Sequence, residues 1–403
     1  MKIGILTFHK SINNGAVLQC YSLWKKLTDV FPEEIVEVID YEMPKIKKRD
    51  NLKFSKHIKG RNPVVTVAKF FKFLIDPNSF FSFKKRRIIF ENTDNMFKTS
   101  DEKIFDDGTE KLFNYINENY DVVIVGSDAI WNYLLRGFPN PYFLDDSLKV
   151  KKLTYAASCF GMDYEKIPAE QKTRISEILS SYLFLGTRDV ASEKFLDYIG
   201  CSVSPVHTCD PTVFLNVNDL PVKEDELKRK LISKGFDFNK NTIAVMGTEI
   251  MCRMVKEMYG DSYQIVALYN YCKSADVNLY ELNPYEWAYV FRYFKLTFTT
   301  FFHGTLLSLR NGVPLICIDL NTEFGKKHTP KTLDVLKRVG FEDWYFSTDY
   351  KSKNLDKIKA KADELLAGDY HDVIISAMDK EAESFEAFNN ALKAIAGKDG
   401  KND

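Results

Sequence analysis

The chain has 403 residues, 45% hydrophobic and 28% charged, which is too long for one ordinary core and too apolar for a disordered protein. Lysine plus arginine and aspartate plus glutamate both number 56, so overall charge offers no support for a nucleic-acid partner. Seven cysteines are scattered without a C-x-x-C pair and no H-E-x-x-H pattern occurs, so a reduced, cytoplasmic setting without a bound metal is expected. Met1 to Phe8 is too short for a signal peptide, and no apolar run reaches the length needed to span a bilayer.

Lys2 to Phe8 has the apolar density of a buried strand, and Ala16 to Leu27 the period of a helix. Between them His9-Lys10-Ser11-Ile12-Asn13-Asn14-Gly15 is a small, polar loop. Free helix amides there suit a polar ligand, or Asn13 or Asn14 simply caps the helix. The spacing is not the G-x-G-x-x-G of dinucleotide sites. Glu34 to Asp40 reads as a second strand. From Lys45 through Arg87 fourteen lysines and arginines stand against only Asp50 and Asp76, interleaved with Phe54, Phe70, Phe71, Phe73, Phe80, Phe81 and Phe83. This basic and aromatic excursion (45–90) suits an anionic membrane surface or a lipid-phosphate substrate; equally, its phenylalanines can pack on the parent domain while its lysines face water.

Lys111 to Asn117 is helical, and Asp121 to Val125 is a buried strand ending at Gly126-Ser127-Asp128-Ala129-Ile130-Trp131-Asn132. Asp128 there can accept a proton or a sugar hydroxyl, and Trp131 offers a flat apolar face; the structural alternative is a helix cap with Trp131 in the core. Strands at Lys152 to Ser158 and Tyr182 to Thr187 flank a helix at Ala169 to Ser180, and the second ends at Arg188-Asp189. An arginine at a strand end grips a carboxylate or phosphate through two parallel hydrogen bonds, or pairs locally with Asp189 or Glu193. A helix at Ser192 to Tyr198 precedes a strand over Val206 to Leu215 that Pro211 stops, and polar Asn216 to Lys230 marks a domain boundary.

The alternation then restarts, with strands near Thr242 to Met246, Tyr263 to Leu268, Leu296 to Thr299 and Leu315 to Ile318, and helices at Glu249 to Tyr259 and Pro284 to Tyr293. His303-Gly304 falls where the third of these strands gives way to a short helix, so an imidazole stands at a strand end beside free helix amides. Gly325 to Lys331 is a basic loop entering a helix and a second candidate for holding an anion. Val373 to Ile395 reads as one amphipathic helix, followed by a polar tail from Gly397. The expected class is α/β: two Rossmann-like, doubly wound domains (1–215 and 216–370) facing one another across a cleft, then a helix (371–396) and a tail (397–403).

Six stretches, in order, together resemble the polysaccharide pyruvyl transferase family. They are Ser11-Ile12-Asn13-Asn14-Gly15-Ala16-Val17-Leu18-Gln19, Val125-Gly126-Ser127-Asp128-Ala129-Ile130-Trp131-Asn132, Tyr155-Ala156-Ala157-Ser158, Thr187-Arg188-Asp189, Asp210-Pro211-Thr212 and Phe302-His303-Gly304-Thr305. Ala129 stands where glutamine is frequent, Phe301 where the family usually has serine, and Lys331 where arginine is common. The resemblance implies a GT-B-like fold and transfer of a pyruvyl group from phosphoenolpyruvate, without a cofactor, onto a sugar acceptor, free or lipid-linked, of a surface polysaccharide. It implies catalytic roles for His303 on the donor side, Arg188 as the anion clamp and Asp128 on the acceptor side. Asn14, Gln19 and Trp131 would hold the sugar, with Gly15, Ser127, Asn132, Gly304, Thr305 and Lys331 also lining the substrates. A lipid-linked acceptor would bring the basic excursion to the inner face of the membrane. The alternatives are a glycosyltransferase using a nucleotide sugar and a catalytically silent sugar-binding protein of the same pathway; the oligomeric state stays open.

Overall fold

A computed structural model describes residues 1–44, 77–90, 96–132, 137–320, 329–348 and 352–399 of the chain. The N-terminal half contributes β1 (Lys2–Leu6), β2 (Ile35–Val38), β3 (Tyr41–Glu42), β4 (Ile104–Phe105), β5 (Val122–Val125), β6 (Lys151–Ala157), β7 (Phe184–Thr187) and β8 (Pro205–His207). The C-terminal half contributes β9 (Thr242–Met246), β10 (Gln264–Leu268), β11 (Val277–Leu279), β12 (Leu296–Thr299), β13 (Leu315–Leu320) and β14 (Tyr345–Thr348). They form two six-stranded sheets, ordered β2-β1-β5-β6-β7-β8 and β11-β10-β9-β12-β13-β14, while β3 and β4 pair separately. Every neighbour in the two large sheets is parallel.

The described helices are α1 (Asn14–Val30), α2 (Pro77–Phe90), α3 (Glu110–Asn119), α4 (Ala169–Ser180), α5 (Val190–Ile199), α6 (Glu224–Ser233), α7 (Glu249–Tyr259), α8 (Pro284–Tyr289), α9 (Phe302–Arg310), α10 (Lys331–Arg338), α11 (Ser352–Ala367), α12 (His371–Ala382) and α13 (Phe385–Asp399). They cover both faces of both sheets, which is why central strands such as β5, β9 and β12 are buried along their whole length rather than on alternate residues. Along β5, Val123 and Val125 enter the core beneath α3 and α4, while Val122 and Ile124 enter the opposite core with α1 and α13. Along β9, Ile243 and Val245 face α7, and Ala244 and Met246 face α6 and α8.

In each sheet the strand order reverses once, between β1 and β5 and between β9 and β12. The crevice outside such a reversal is where doubly wound sheets hold ligands. The loops carrying Asn14 and Asp128 leave β1 and β5, and His303 follows β12.

The chain end departs from the expected single helix. It breaks at Glu383-Ser384 into α12, which buries Ile374 and Met378 in the C-terminal core, and α13, which buries Phe385, Phe388, Leu392 and Ile395 in the N-terminal core. One straight helix cannot serve both cores, and the Ser384 hydroxyl fixes the break by accepting the Cys209 amide at 2.9 Å. Helix α13 runs on to Asp399, past the expected start of the tail at Gly397. The strand expected over Val206 to Leu215 is confined to β8, because Pro211 opens a 3-10 turn at Pro211–Phe214. The polar run Asn216 to Lys230 contains α6, whose Leu227 and Leu231 belong to the C-terminal core, so the crossing between domains falls ahead of Glu224.

Of the basic excursion, 45–76 lies outside the described residues, as does the basic loop from Gly325 to His328. Helix α2 is described, and it turns Arg86 inward, contrary to a membrane-facing role for that residue. Its guanidinium lies 3.9 Å from the Tyr269 ring centroid and donates to the Tyr269 carbonyl at 2.5 Å, while Lys85 pairs with Glu281 at 2.8 Å. Among the described residues no helix is long and apolar enough to cross a membrane.

Phe388 is fully buried, with its ring 4.9 Å from Tyr155 and 5.6 Å from Phe184. Truncating it in Phe388→Ala should cost about 3–5 kcal/mol, read as a lower urea midpoint at unchanged slope.

Candidate functional site

The site is assembled from loops that leave the carboxyl ends of both sheets. Asn13 caps α1 by accepting the Gly15 amide at 3.0 Å, which places Asn14 and Gly15 in its first turn. Gly15 lies directly against the His303 imidazole, and a β-carbon there would collide with the ring. After β5, Gly126 has φ +134° and no room for a side chain against the Tyr155 carbonyl. Asp128 follows at φ +81°, a region aspartate tolerates better than most residues. Its carboxylate accepts the Ala129 amide at 2.8 Å, and its carbonyl accepts the Ser158 amide at 3.0 Å. That pose brings Asp128 Oδ1 to 3.5 Å from Arg188 Nη2.

Arg188, just past β7, is 4% exposed. Its Nη1 donates to Asp210 Oδ2 at 2.9 Å, and Asp210 Oδ2 also accepts from Gln19 Nε2. Asp189 beside it caps α5 and accepts the Ser158 hydroxyl at 2.6 Å. His303 is the second residue of α9, whose first amides have no partner within the helix. Its Nε2 stands 3.9 Å from Asp210 Oδ2. Lys331 opens α10, with its ammonium 5.0 Å from the ring centroids of both Phe160 and Phe302. Arg188 lies 4.8 Å from the Phe302 ring.

Electrostatics follow from burial and these neighbours. Burial holds the His303 imidazole down at about 4, more strongly than Asp210 and Asp128 pull it up, so the ring is neutral at pH 7. Burial opposes ionisation of Asp128, but Arg188 and then Lys331 outweigh it and hold the carboxyl at about 2. Lys331 is lowered by burial and by Arg188. Among the described residues Arg188 Nε and Nη2 and His303 Nε2 are buried without a hydrogen bond, although Asp189 Oδ2 lies 4.0 Å from Nε and Asp128 Oδ1 3.5 Å from Nη2. Buried polar groups of this kind are costly unless a ligand uses them, and the Arg188 and His303 side chains are linked through Asp210 Oδ2, which lies 2.9 Å from Arg188 Nη1 and 3.9 Å from His303 Nε2.

Gly15, Asp128, Arg188, His303 and Lys331 thus lie close to one another, with Asn14 preceding Gly15 in the first turn of α1. Gln19 is present but committed to Asp210. Trp131 is a correction: it is fully buried, 6.1 Å from Phe195, and presents no face to a sugar. Thr305 is likewise fully buried and returns its hydroxyl to the Phe301 carbonyl at 3.3 Å, within α9. Gly304 lets α9 approach Thr299 and Met246, where a β-carbon would clash, so packing explains the glycine; its amide still belongs to the free first turn. Asn132 donates to the Phe160 carbonyl at 2.9 Å and so supports the loop carrying that ring, while Ser127 is buried with its hydroxyl unbonded. Asp210, which gathers Gln19, Arg188, Thr212 and His303, was given no role by the sequence beyond its place in one of the six family stretches. Phe160 carried no signal.

The architecture is that of GT-B proteins, two Rossmann-like domains with a site between them. Solved structures of similar fold include a Listeria monocytogenes protein assigned as a UDP-N-acetylglucosamine 2-epimerase (TM-score 0.54, 14% identity, covering 100% of this chain and 97% of that one). They also include the UDP-GlcNAc 2-epimerase of Neisseria meningitidis bound to UDP-GlcNAc (TM-score 0.52, 10% identity, covering 98% and 100%). At such identities the likeness concerns the fold alone. No curated protein matches the sequence. The family model for polysaccharide pyruvyl transferases matches residues 13–322, and the chain belongs to that family.

An unfolded histidine titrates near 6.5 and His303 near 4, so between those values the unfolded chain holds the extra proton. Stability should therefore fall as pH drops from 6.5 to 4, with about 3 kcal/mol of the loss due to His303. Denaturant titrations at pH 7 and pH 4 should show that much less acid sensitivity in His303→Gln.

Proposed function

We propose that this chain moves a pyruvyl group from phosphoenolpyruvate onto two hydroxyls of a sugar, forming a ketal and releasing phosphate. The observation that carries the reading is Arg188: a buried guanidinium whose Nε and Nη2 make no hydrogen bond among the described residues, joined through Asp210 to His303, whose Nε2 is likewise without one. Phosphoenolpyruvate carries a carboxylate and a phosphate within a few atoms. Arg188 suits the planar carboxylate, and the first amides of α9 with Lys331 suit the phosphate.

The reaction needs one proton delivered to the enol carbon C3 as a hydroxyl oxygen bonds to C2. The second hydroxyl then displaces phosphate from C2, and its proton leaves with the phosphate. His303, neutral with a free Nε2, is the group placed to carry a proton, and the negative charge of the donor favours its protonated form when bound. Asp128, held at about 2, is a weak base, so it orients an acceptor hydroxyl better than it deprotonates one. Asn14, whose Oδ1 is buried without a hydrogen bond among the described residues, would accept from the same sugar.

Phosphoenolpyruvate should raise the unfolding temperature of the protein, and phosphate should appear when a sugar acceptor is added. Protection by a nucleotide sugar instead would favour a glycosyltransferase. Arg188→Lys keeps the charge and loses the fork, so kcat/KM should drop ~10²-fold. Unchanged turnover in His303→Ala would overturn the proton-carrying role.

A further inference from the structure

Asp210 belongs to neither sheet. It stands in the segment joining the two domains, 4% exposed, and both of its oxygens are fixed. Oδ1 accepts the Thr212 amide at 3.0 Å and the Thr212 hydroxyl at 2.7 Å. Oδ2 accepts from Arg188 Nη1 at 2.9 Å and from Gln19 Nε2. The same Oδ2 lies 3.9 Å from His303 Nε2, too far for a hydrogen bond but near enough for a buried charge to act on the ring. Donors from α1, from the end of β7 and from its own 3-10 turn thus leave the carboxylate no freedom to turn away from the imidazole.

We propose that Asp210 is a positioning residue of the transfer reaction: it fixes the Arg188 guanidinium for the donor and supplies the buried countercharge that lets His303 carry a proton to C3. This rests on the pyruvyl-transfer reading. The charged groups facing His303 are Asp210, Asp128, Lys331 and Arg188, and the uncharged Gly15 and Phe302 pack on the ring. The two cations oppose a protonated imidazole, so only the carboxylates favour it. In the free protein burial prevails, and the bound donor adds the negative charge that shifts the balance. The step conserves protons: Nε2–H goes to C3 as a hydroxyl oxygen bonds to C2, and the proton released by that hydroxyl returns to the ring.

Asp210→Asn removes the charge and keeps the shape. Calorimetry should give phosphoenolpyruvate affinity equal to wild type or tighter, because a like charge has gone, while kcat falls about 10²-fold or more. In NMR titrations the His303 midpoint should move below its wild-type value. A raised KM at unchanged kcat would mark Asp210 as a mere binding scaffold, and an unmoved His303 midpoint would remove its electrostatic role; either overturns the proposal. If Asp210→Asn does not fold, Thr212→Val loosens the carboxylate without removing it and should lower kcat several-fold at constant KM, with an unchanged kcat counting against Asp210. A wild-type protein that ignores phosphoenolpyruvate would refute pyruvyl transfer itself; the His303 midpoint in ligand-free Asp210→Asn would then still decide whether Asp210 is its countercharge.

Discussion

The buried pair of Arg188 and Asp210 is the constraint on which the rest of this structure depends. Both side chains are almost wholly removed from water, and each would be expensive to bury alone. Their charges offset one another, yet two Arg188 nitrogens, Nε and Nη2, make no hydrogen bond among the described residues, because Asp210 takes only Nη1 and the carboxylates of Asp189 and Asp128 stand 4.0 and 3.5 Å away. A fully satisfied arginine would be a structural ion pair and nothing more. This one is anchored at Nη1 and faces Asp128 and Asp189 at ion-pair distance elsewhere, so it keeps hydrogen-bonding capacity that an anion could use.

Because Arg188 follows a strand of the first sheet and Asp210 lies on the way to the second, the pair also sets how the halves meet. Helix α1 lies at that junction: its Val17 and Leu23 enter the N-terminal core, and its Leu18 the C-terminal one. Arg86 on α2 stacks on Tyr269, whose hydroxyl reaches the Ile12 carbonyl in the loop leading to Asn14. Phe301, at the head of the His303 helix, meets the same Tyr269 ring at 5.7 Å. The aromatic residue that departs from the usual family serine thus contributes to the seam between domains. Helices α12 and α13 close the other side, divided at Ser384 so that each serves one core.

Much of the site was legible because strand ends can be read from sequence. Apolar runs such as 121–125 and 296–299 announce buried strands, and a polar or charged residue just beyond one, like Asp128, Arg188 or His303, falls at a ligand edge. What misled was chemistry read without burial. Trp131 has the ring a sugar would stack on, but its side chain points under the sheet edge into Phe195. Thr305 lies two residues beyond His303, yet the 100° step of the helix turns it into the core. The contacts of Asp210 are not legible in the sequence, because Gln19, Arg188 and His303 are remote from it in the chain and meet it only through the fold.

The sequence by itself determined the alternation of strands and helices in two halves and the family, since each rests on local pattern or on short motifs in fixed order. The tertiary structure alone decided which strand ends share one space, which donors remain unbonded and which carboxylate joins them. It also decided that the terminal amphipathic run must break, because two cores demand its apolar residues in two directions. Those are properties of distance and desolvation between residues far apart in the chain, and no local pattern encodes them.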